Sequence, residues 1–202
     1  MTTEPNRLVI LLKAPRAGAV KTRLAQTLGA EAACAAYRQL VETLLASLSS
    51  LRAVELCFTP GDAGVEIEPW LREEWSLCPQ SGGDLGGRLH AVFADHFRSD
   101  ADRVVVIGSD CPAVTATDIK DAWLALSAHD VVLGPALDGG YWLIGLRAPQ
   151  PGLFTAMPWS TDAVLAETMR RAREAGLRVA LLRELSDVDT EADWERWLAR
   201  QG

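Results

Sequence analysis

Residues 104–112 read Val-Val-Val-Ile-Gly-Ser-Asp-Cys-Pro. Four β-branched residues in a row, with no polar alternation, mark a short strand buried on both faces, the kind found in parallel sheets. The glycine ends the run. Asp110 therefore falls at the carboxyl end of a central strand, the edge at which open α/β sheets bind ligands.

Outward from this strand the same signal recurs. Apolar, β-branched runs at Arg7–Leu12, Val54–Phe58, Ser76–Cys78, Val131–Leu133, Tyr141–Leu146 and Arg178–Leu182 predict, with Val104–Gly108, about seven strands. Between them, i, i+3, i+4 apolar spacing predicts helices at Lys21–Leu28 and Glu31–Leu48, separated at Gly29, and at Leu85–Phe97. A further helix runs from the capping pair Thr115 and Asp118 to Ala128, another spans Asp162–Ala175 before Gly176, and a last one starts at Thr190 with Asp193 and carries Trp194 and Trp197. Strands alternating with helices give βαβ units, hence a three-layer α/β/α domain around a mostly parallel sheet. Thr59–Pro69 and Arg147–Pro158, rich in proline, read as surface loops.

The 202 residues fit one domain spanning 1–202, since a chain of this size buries a sufficient core alone. A net charge of −7 argues against nucleic acid or acidic membrane as a partner, because both require a basic face. The apolar run Leu8–Leu12 stops at Lys13, too short for a spanning or signal segment, so a cytoplasmic location is expected. Cys34, Cys57, Cys78 and Cys111 are spread singly and the histidines do not cluster, so spacing favours neither a disulfide framework nor a zinc site.

Five segments carry candidate chemistry. Lys13-Ala14-Pro15-Arg16-Ala17-Gly18-Ala19-Val20-Lys21-Thr22-Arg23 combines long cations, small residues and a helix start at Lys21, which suits a pyrophosphate. It is not a P-loop, because Val20 stands where that motif has glycine. A solvated loop remains the alternative. Gln80, Gly82, Gly83, Gly86 and Gly87 form a second loop able to close over a flat base, with the Gln80 amide facing its edge. Asp110 is a hard oxygen ligand suited to Mg²⁺ or Mn²⁺. Asp138-Gly139-Gly140-Tyr141 is either a hairpin turn or a substrate contact. Asp187 and Asp189, one residue apart in an extended segment, are either helix-capping acids or partners of Asp110 at a metal.

In order along the chain, Lys-Thr-Arg-Leu, the Gln80 glycine loop, Gly-Ser-Asp-Cys-Pro, Asp-Gly-Gly-Tyr-Trp-Leu-Ile-Gly-Leu, Trp-Ser-Thr and Asp-Val-Asp-Thr-Glu-Ala-Asp resemble the radical-SAM/selenodomain-associated transferases. That family is similar to the nucleotide-diphospho-sugar transferases of the GT-A fold, including the molybdenum-cofactor and 2-phospholactate guanylyltransferases. The resemblance covers most of the chain. It implies that Lys21 holds the nucleotide's phosphates, with Lys13, Ala14, Pro15, Gly18 and Arg23 around them, and that the Gln80 loop reads the base. It also implies Asp110 as the metal aspartate, with Asp189 as the second ligand ahead of Asp187. Two departures stand out: Lys13-Ala14-Pro15 replaces the Gly-Gly opening of the nucleotidyltransferases, and Ser109-Asp110-Cys111 replaces the glycosyltransferases' Asp-x-Asp.

The expectation is a Mg²⁺- or Mn²⁺-dependent transferase that moves a glycosyl group from a nucleotide-sugar to a small acceptor. The acceptor would lie near Asp138, Gly139, Gly140, Tyr141, Trp159 and Ser160, with Asp138 as base. Nucleotidyl transfer with release of pyrophosphate is the alternative, a non-catalytic nucleotide-binding module is another, and a homodimer is left open.

Overall fold

The computed structural model describes residues 5–201. The strands are β1 (Asn6–Lys13), β2 (Val54–Thr59), β3 (Ser76–Pro79), β4 (Arg103–Gly108), β5 (Val131–Pro135), β6 (Tyr141–Leu146) and β7 (Val179–Leu181). The helices are α1 (Thr22–Leu28), α2 (Ala30–Ser47), α3 (Gly64–Ile67), α4 (Leu85–Arg98), α5 (Ala116–Ala125), α6 (Val164–Glu174) and α7 (Glu191–Leu198). Together the strands make one seven-stranded sheet in the order β3-β2-β1-β4-β6-β5-β7.

Alternate side chains of each strand feed opposite faces, as a pleat requires. Leu8, Ile10 and Leu12 of β1, with Val105 and Ile107 of β4, pack against Tyr37, Val41 and Leu44 of α2 and Ile119 and Ala122 of α5. Val9, Val104 and Val106 pack the other way, against Leu89, Val92 and Phe93 of α4 and Ala172 of α6. The register Leu8↔Val105 and Ile10↔Ile107 aligns the two central strands so that both end at one edge. This is the α/β/α arrangement the sequence predicts.

Four local details differ from that reading. β6 runs antiparallel to both β4 and β5, because residues 136–140 turn the chain straight back as a hairpin. The segment read as a bare loop after β2 folds into α3 and a 3₁₀ turn at Glu68–Trp70, which bury Ile67 and Trp70. A second 3₁₀ turn, Pro151–Leu153, interrupts the loop after β6. α5 stops at Ala125 because Ser127 and Ala128 donate to carbonyls three residues back, tightening the end before the predicted Ala128.

After β7 the chain returns along the carboxyl edge of the sheet. Leu185 N donates to Pro135 O at 3.1 Å and Val188 N to Asp110 O at 3.0 Å. α7 then folds back, with Trp197 buried against Leu40 and Val188. Among the described residues no helix is long and apolar enough to cross a membrane.

Candidate functional site

The carboxyl ends of β1 and β4, the start of β6 and the returning 187–189 segment enclose a cleft of about 550 Å³. Lys21 lies at its floor. The residue takes a left-handed conformation, φ 47° and ψ 48°, immediately before α1, so the helix begins at Thr22 rather than at Lys21. This bend turns the side chain inward until only 2% of it is exposed. Its Nζ forms an ion pair with Asp110 and donates to Asp189 Oδ1 at 2.9 Å. Burial by itself would depress the ammonium's pKa, but Asp110 and then Asp189 outweigh it and hold it above its ordinary value.

The acids outnumber this cation. Burial pushes the Asp187 carboxyl up to about 7, and repulsion from Asp110, Asp138 and Asp189 works in the same direction, against Lys21. Arg23 is a weak counterweight, with Nη1 3.9 Å from Asp189 Oδ2. Three carboxylates crowded about one ammonium are hard oxygen donors with charge left over, a donor set that fits Mg²⁺ or Mn²⁺.

Tyr37 braces the cleft wall. Its hydroxyl accepts from Lys13 N at 2.9 Å and donates to Lys13 O at 3.1 Å, which leaves Ser109 Oγ, also 3.1 Å away, to donate to it. The ends of β1 and β4 are thereby tied together, and burial pushes the phenol up to about 12. Nothing in the sequence marked this residue, since it falls in the apolar stripe of a long helix. Arg88 also lines the cleft; its guanidinium donates to Gln80 Oε1 at 3.2 Å and, through Nε, to Gly83 O at 3.2 Å.

Of the residues singled out from sequence, Lys13, Lys21, Arg23, Gln80, Asp110, Tyr141, Ser160, Asp187 and Asp189 line this cleft. The rest lie off its walls, each for a local reason. Ala14 is buried in the core beneath it, and Pro15 offers its carbonyl to Cys34 Sγ and Arg38 Nη2. Gly18 and Gly83 are exposed turn residues with positive φ, and Gly82 is exposed beside the latter. Gly86 serves packing: a Cβ there would meet Phe154 O at 2.6 Å and Trp159 Nε1 at 2.8 Å. Trp159 accordingly lies against the start of α4. Asp138 caps the hairpin, with Oδ1 accepting from Gly140 N at 2.9 Å, and at Gly139 a Cβ would stand 2.2 Å from Asp162 O.

Gln80 needs a correction in its chemistry. Both amide hydrogens are committed, to Leu12 O at 3.1 Å and Cys57 O at 2.8 Å, so the side chain has no donor left for a base. One acceptor position on Oε1 remains beside Arg88. Cys111, next to Asp110, is buried with its thiol pushed up to about 12 by that burial, which suits a core thiol and not a nucleophile.

No curated protein matches this chain. A solved structure from Desulfovibrio desulfuricans, provisionally called a nucleotide-diphospho-sugar transferase, is 35% identical, with a TM-score of 0.87 over 93% of this chain and 84% of its own. A CMP:2-keto-3-deoxy-manno-octonic acid synthetase complexed with CTP superposes with a TM-score of 0.61 over 98% of each chain at 13% identity. The Rv0371c protein of Mycobacterium tuberculosis in complex with manganese does so with 0.57 over 97% and 99%, at 14% identity. At these lower identities the likeness is one of fold. The fold is that of the nucleotide-diphospho-sugar transferases, GT-A-like, and the 35%-identical relative supports a transferase. The family described as an uncharacterized protein conserved in bacteria, DUF2064, matches residues 43–161, more than half of the sequence, and the chain belongs to that family.

Proposed function

We propose that the cleft binds a nucleotide-sugar together with Mg²⁺ or Mn²⁺ and transfers the sugar to a small acceptor. One observation carries this reading: Asp110 and Asp189, far apart in sequence, converge on the Lys21 ammonium at the carboxyl edge of the sheet, with Asp187 beside them. Asp110, Asp189 and Asp187 would hold the cation. When bound, it neutralises charge on the diphosphate as that group departs. Likeness to a 35%-identical relative called a nucleotide-diphospho-sugar transferase supports the donor class.

The chain's own groups do the remainder. Lys21, already buried and charged, supplies a fixed positive charge to the phosphates and needs no reorganisation when the leaving group develops. Lys13, Arg23 and Arg88 add cations along the cleft wall. In the Gln80 loop, a Cβ at Gly82 would meet nothing within 4 Å, so packing within the protein does not demand glycine there. A nucleotide reaching past the cleft wall would find that position open, and Ala14, Pro15, Gly18, Gly83 and Gly86 shape the two loops from behind. Tyr141 and Ser160 face the acceptor, with Gly139, Gly140 and Trp159 supporting them. Asp138 stands beside the cleft, near enough to repel Asp187, and its Oδ2, the oxygen not engaged by Gly140, would take the proton of an acceptor hydroxyl bound at that side as the new C–O bond forms and the sugar–phosphate bond breaks.

Nucleotidyl transfer is the second reading, favoured by the shared fold of a synthetase seen with CTP. The leaving group separates the two. Thermal shift of the purified protein against nucleotides and nucleotide-sugars, with and without Mg²⁺, is expected to show stabilisation that needs both, about 2.7 kcal/mol at 100 times the dissociation constant. Incubation with acceptors should then release nucleoside diphosphate, and Asp110→Asn should abolish both results. Pyrophosphate release would select the second reading, and no shift with any nucleotide would remove the first and the second alike.

A further inference from the structure

On the side of the sheet covered by α4, outside the cleft lining, Cys57 of β2 and Cys78 of β3 stand opposite each other in register. Glu55 lies two residues before Cys57 and so projects to the same face. The two sulfurs and a Glu55 carboxylate oxygen all lie within 4.8 Å of one another. From α4, His96 Nε2 reaches to 3.2 Å from Glu55 Oε1. None of these four residues lines the cleft.

We infer that Glu55, Cys57 and Cys78 form a second cation site, selective for a thiophilic metal such as Zn²⁺, with His96 as the residue that positions Glu55. In a tetrahedral site with Zn–S bonds of about 2.3 Å and Zn–O bonds of about 2.0 to 2.2 Å, neighbouring ligand atoms sit roughly 3.3 to 3.8 Å apart. Ligand atoms already within 4.8 Å of one another stand close to that spacing. Two thiolates with one carboxylate favour zinc over magnesium, whereas the all-oxygen acids of the cleft suit magnesium or manganese. The two sites therefore need not compete. Coordination displaces both thiol protons to solvent, and the imidazole holds Glu55 in the ligating orientation in the way that outer partners commonly do.

The site has a structural consequence. β3 is a four-residue edge strand paired only with β2 among the described residues, and Gln80 follows it directly. A cation shared by Cys57 and Cys78 would clamp that edge, and with it the Gln80 side chain, which already donates to Cys57 O. Sequence spacing gave no hint of the site, because its members come from two strands and a helix.

The test is anaerobic titration of the reduced, metal-stripped protein with Co²⁺ in excess Mg²⁺, followed by optical absorption. The expected result is a thiolate-to-cobalt charge-transfer band that saturates at one cobalt per chain and is displaced by Zn²⁺. Cys78→Ser, a substitution at a half-exposed edge position, should lose the band. Glu55→Gln should weaken binding, and His96→Gln should weaken it by about tenfold or more while leaving the band's shape intact. Asp110→Asn should bind cobalt as wild type does, which separates this site from the cleft. Absence of the band in the reduced wild type, or its persistence in Cys78→Ser, would each overturn the inference.

Discussion

Lys21 joins two demands that pull apart. A side chain in the left-handed region costs about 1 kcal/mol, and burying an ammonium costs more. The ion pairs with Asp110 and Asp189 offset both, and in return Lys21 keeps those acids from repelling each other. We expect Lys21→Met to destabilise the metal-free protein. The cost should stay near about 1 kcal/mol, because the Asp110 and Asp189 side chains are 49% and 42% exposed and water screens them. Added Mg²⁺ should restore most of it. Denaturant midpoints of the variant with and without Mg²⁺ give the answer, and a variant that stays equally unstable in Mg²⁺ would show that the acids do not hold the cation. Gly86 sets a different constraint at the same scale. Alanine there has to displace the Phe154 carbonyl or the Trp159 indole, so Gly86→Ala should cost about 1 to 3 kcal/mol by urea unfolding. Nucleotide affinity should hardly change if the glycine serves packing.

At the scale of elements, α5 shows how one carboxylate can do two tasks. Asp118 closes a capping box with Thr115 and also receives the Arg183 guanidinium, at 2.6 Å from Nε and 2.7 Å from Nη2. Burial opposes its ionisation, but Arg183 and then Thr115 prevail and hold the carboxyl below its ordinary value. A depressed native pKa means stability that is complete above the unfolded value of about 3.9 and is lost as pH falls through the native one. Asp118→Asn should therefore lower stability at neutral pH and flatten the acid limb of the stability curve, with little difference left at the acid extreme; a limb as steep as in the wild type would exclude this pairing. The capping box was legible in the sequence because its partners are three residues apart, and the same holds for Thr190 and Asp193. The ends of the central strands were legible too, since a run such as Val104–Ile107 allows little else. Direction was not: apolar periodicity is the same for a parallel and an antiparallel strand, so β6 was settled only by the hairpin at residues 136–140. α3 was hidden because Gly and Pro outweighed Ile67 and Trp70 in a short window. For the cleft, strand ends brought Lys21, Asp110 and Asp189 into view, whereas Gln80's bonds to Leu12 and Cys57 and Tyr37's to Lys13 depend on chain crossings that no local window contains.

Across the whole molecule, the cleft is closed by a segment that the sheet alone cannot hold. Asp187 and Asp189 lie in irregular chain, anchored by Val188, whose N–H binds Asp110 O and whose side chain is buried under Trp197. Trp197 in turn packs on Leu40 of α2 and stacks on Trp194 with ring centroids 5.0 Å apart. The position of two cleft acids thus depends on a tryptophan that lines no part of the cleft. Trp197→Ala should cost about 3 kcal/mol or more as a core truncation, and it should also reduce the extra stabilisation that nucleotide and Mg²⁺ give together. Trp75→Ala is the matched control: Trp75 is as deeply buried, with Nε1 donating to Leu51 O, but it is remote from the cleft lining. Both variants should melt earlier than the wild type by calorimetry. Only Trp197→Ala should lose the coupling between ligand and stability, because only there does the cavity loosen the strap that carries Asp187 and Asp189. Equal coupling in the two variants would mean that the acids hold their places through Val188 and the sheet edge alone, and that α7 stabilises the fold without shaping the cleft.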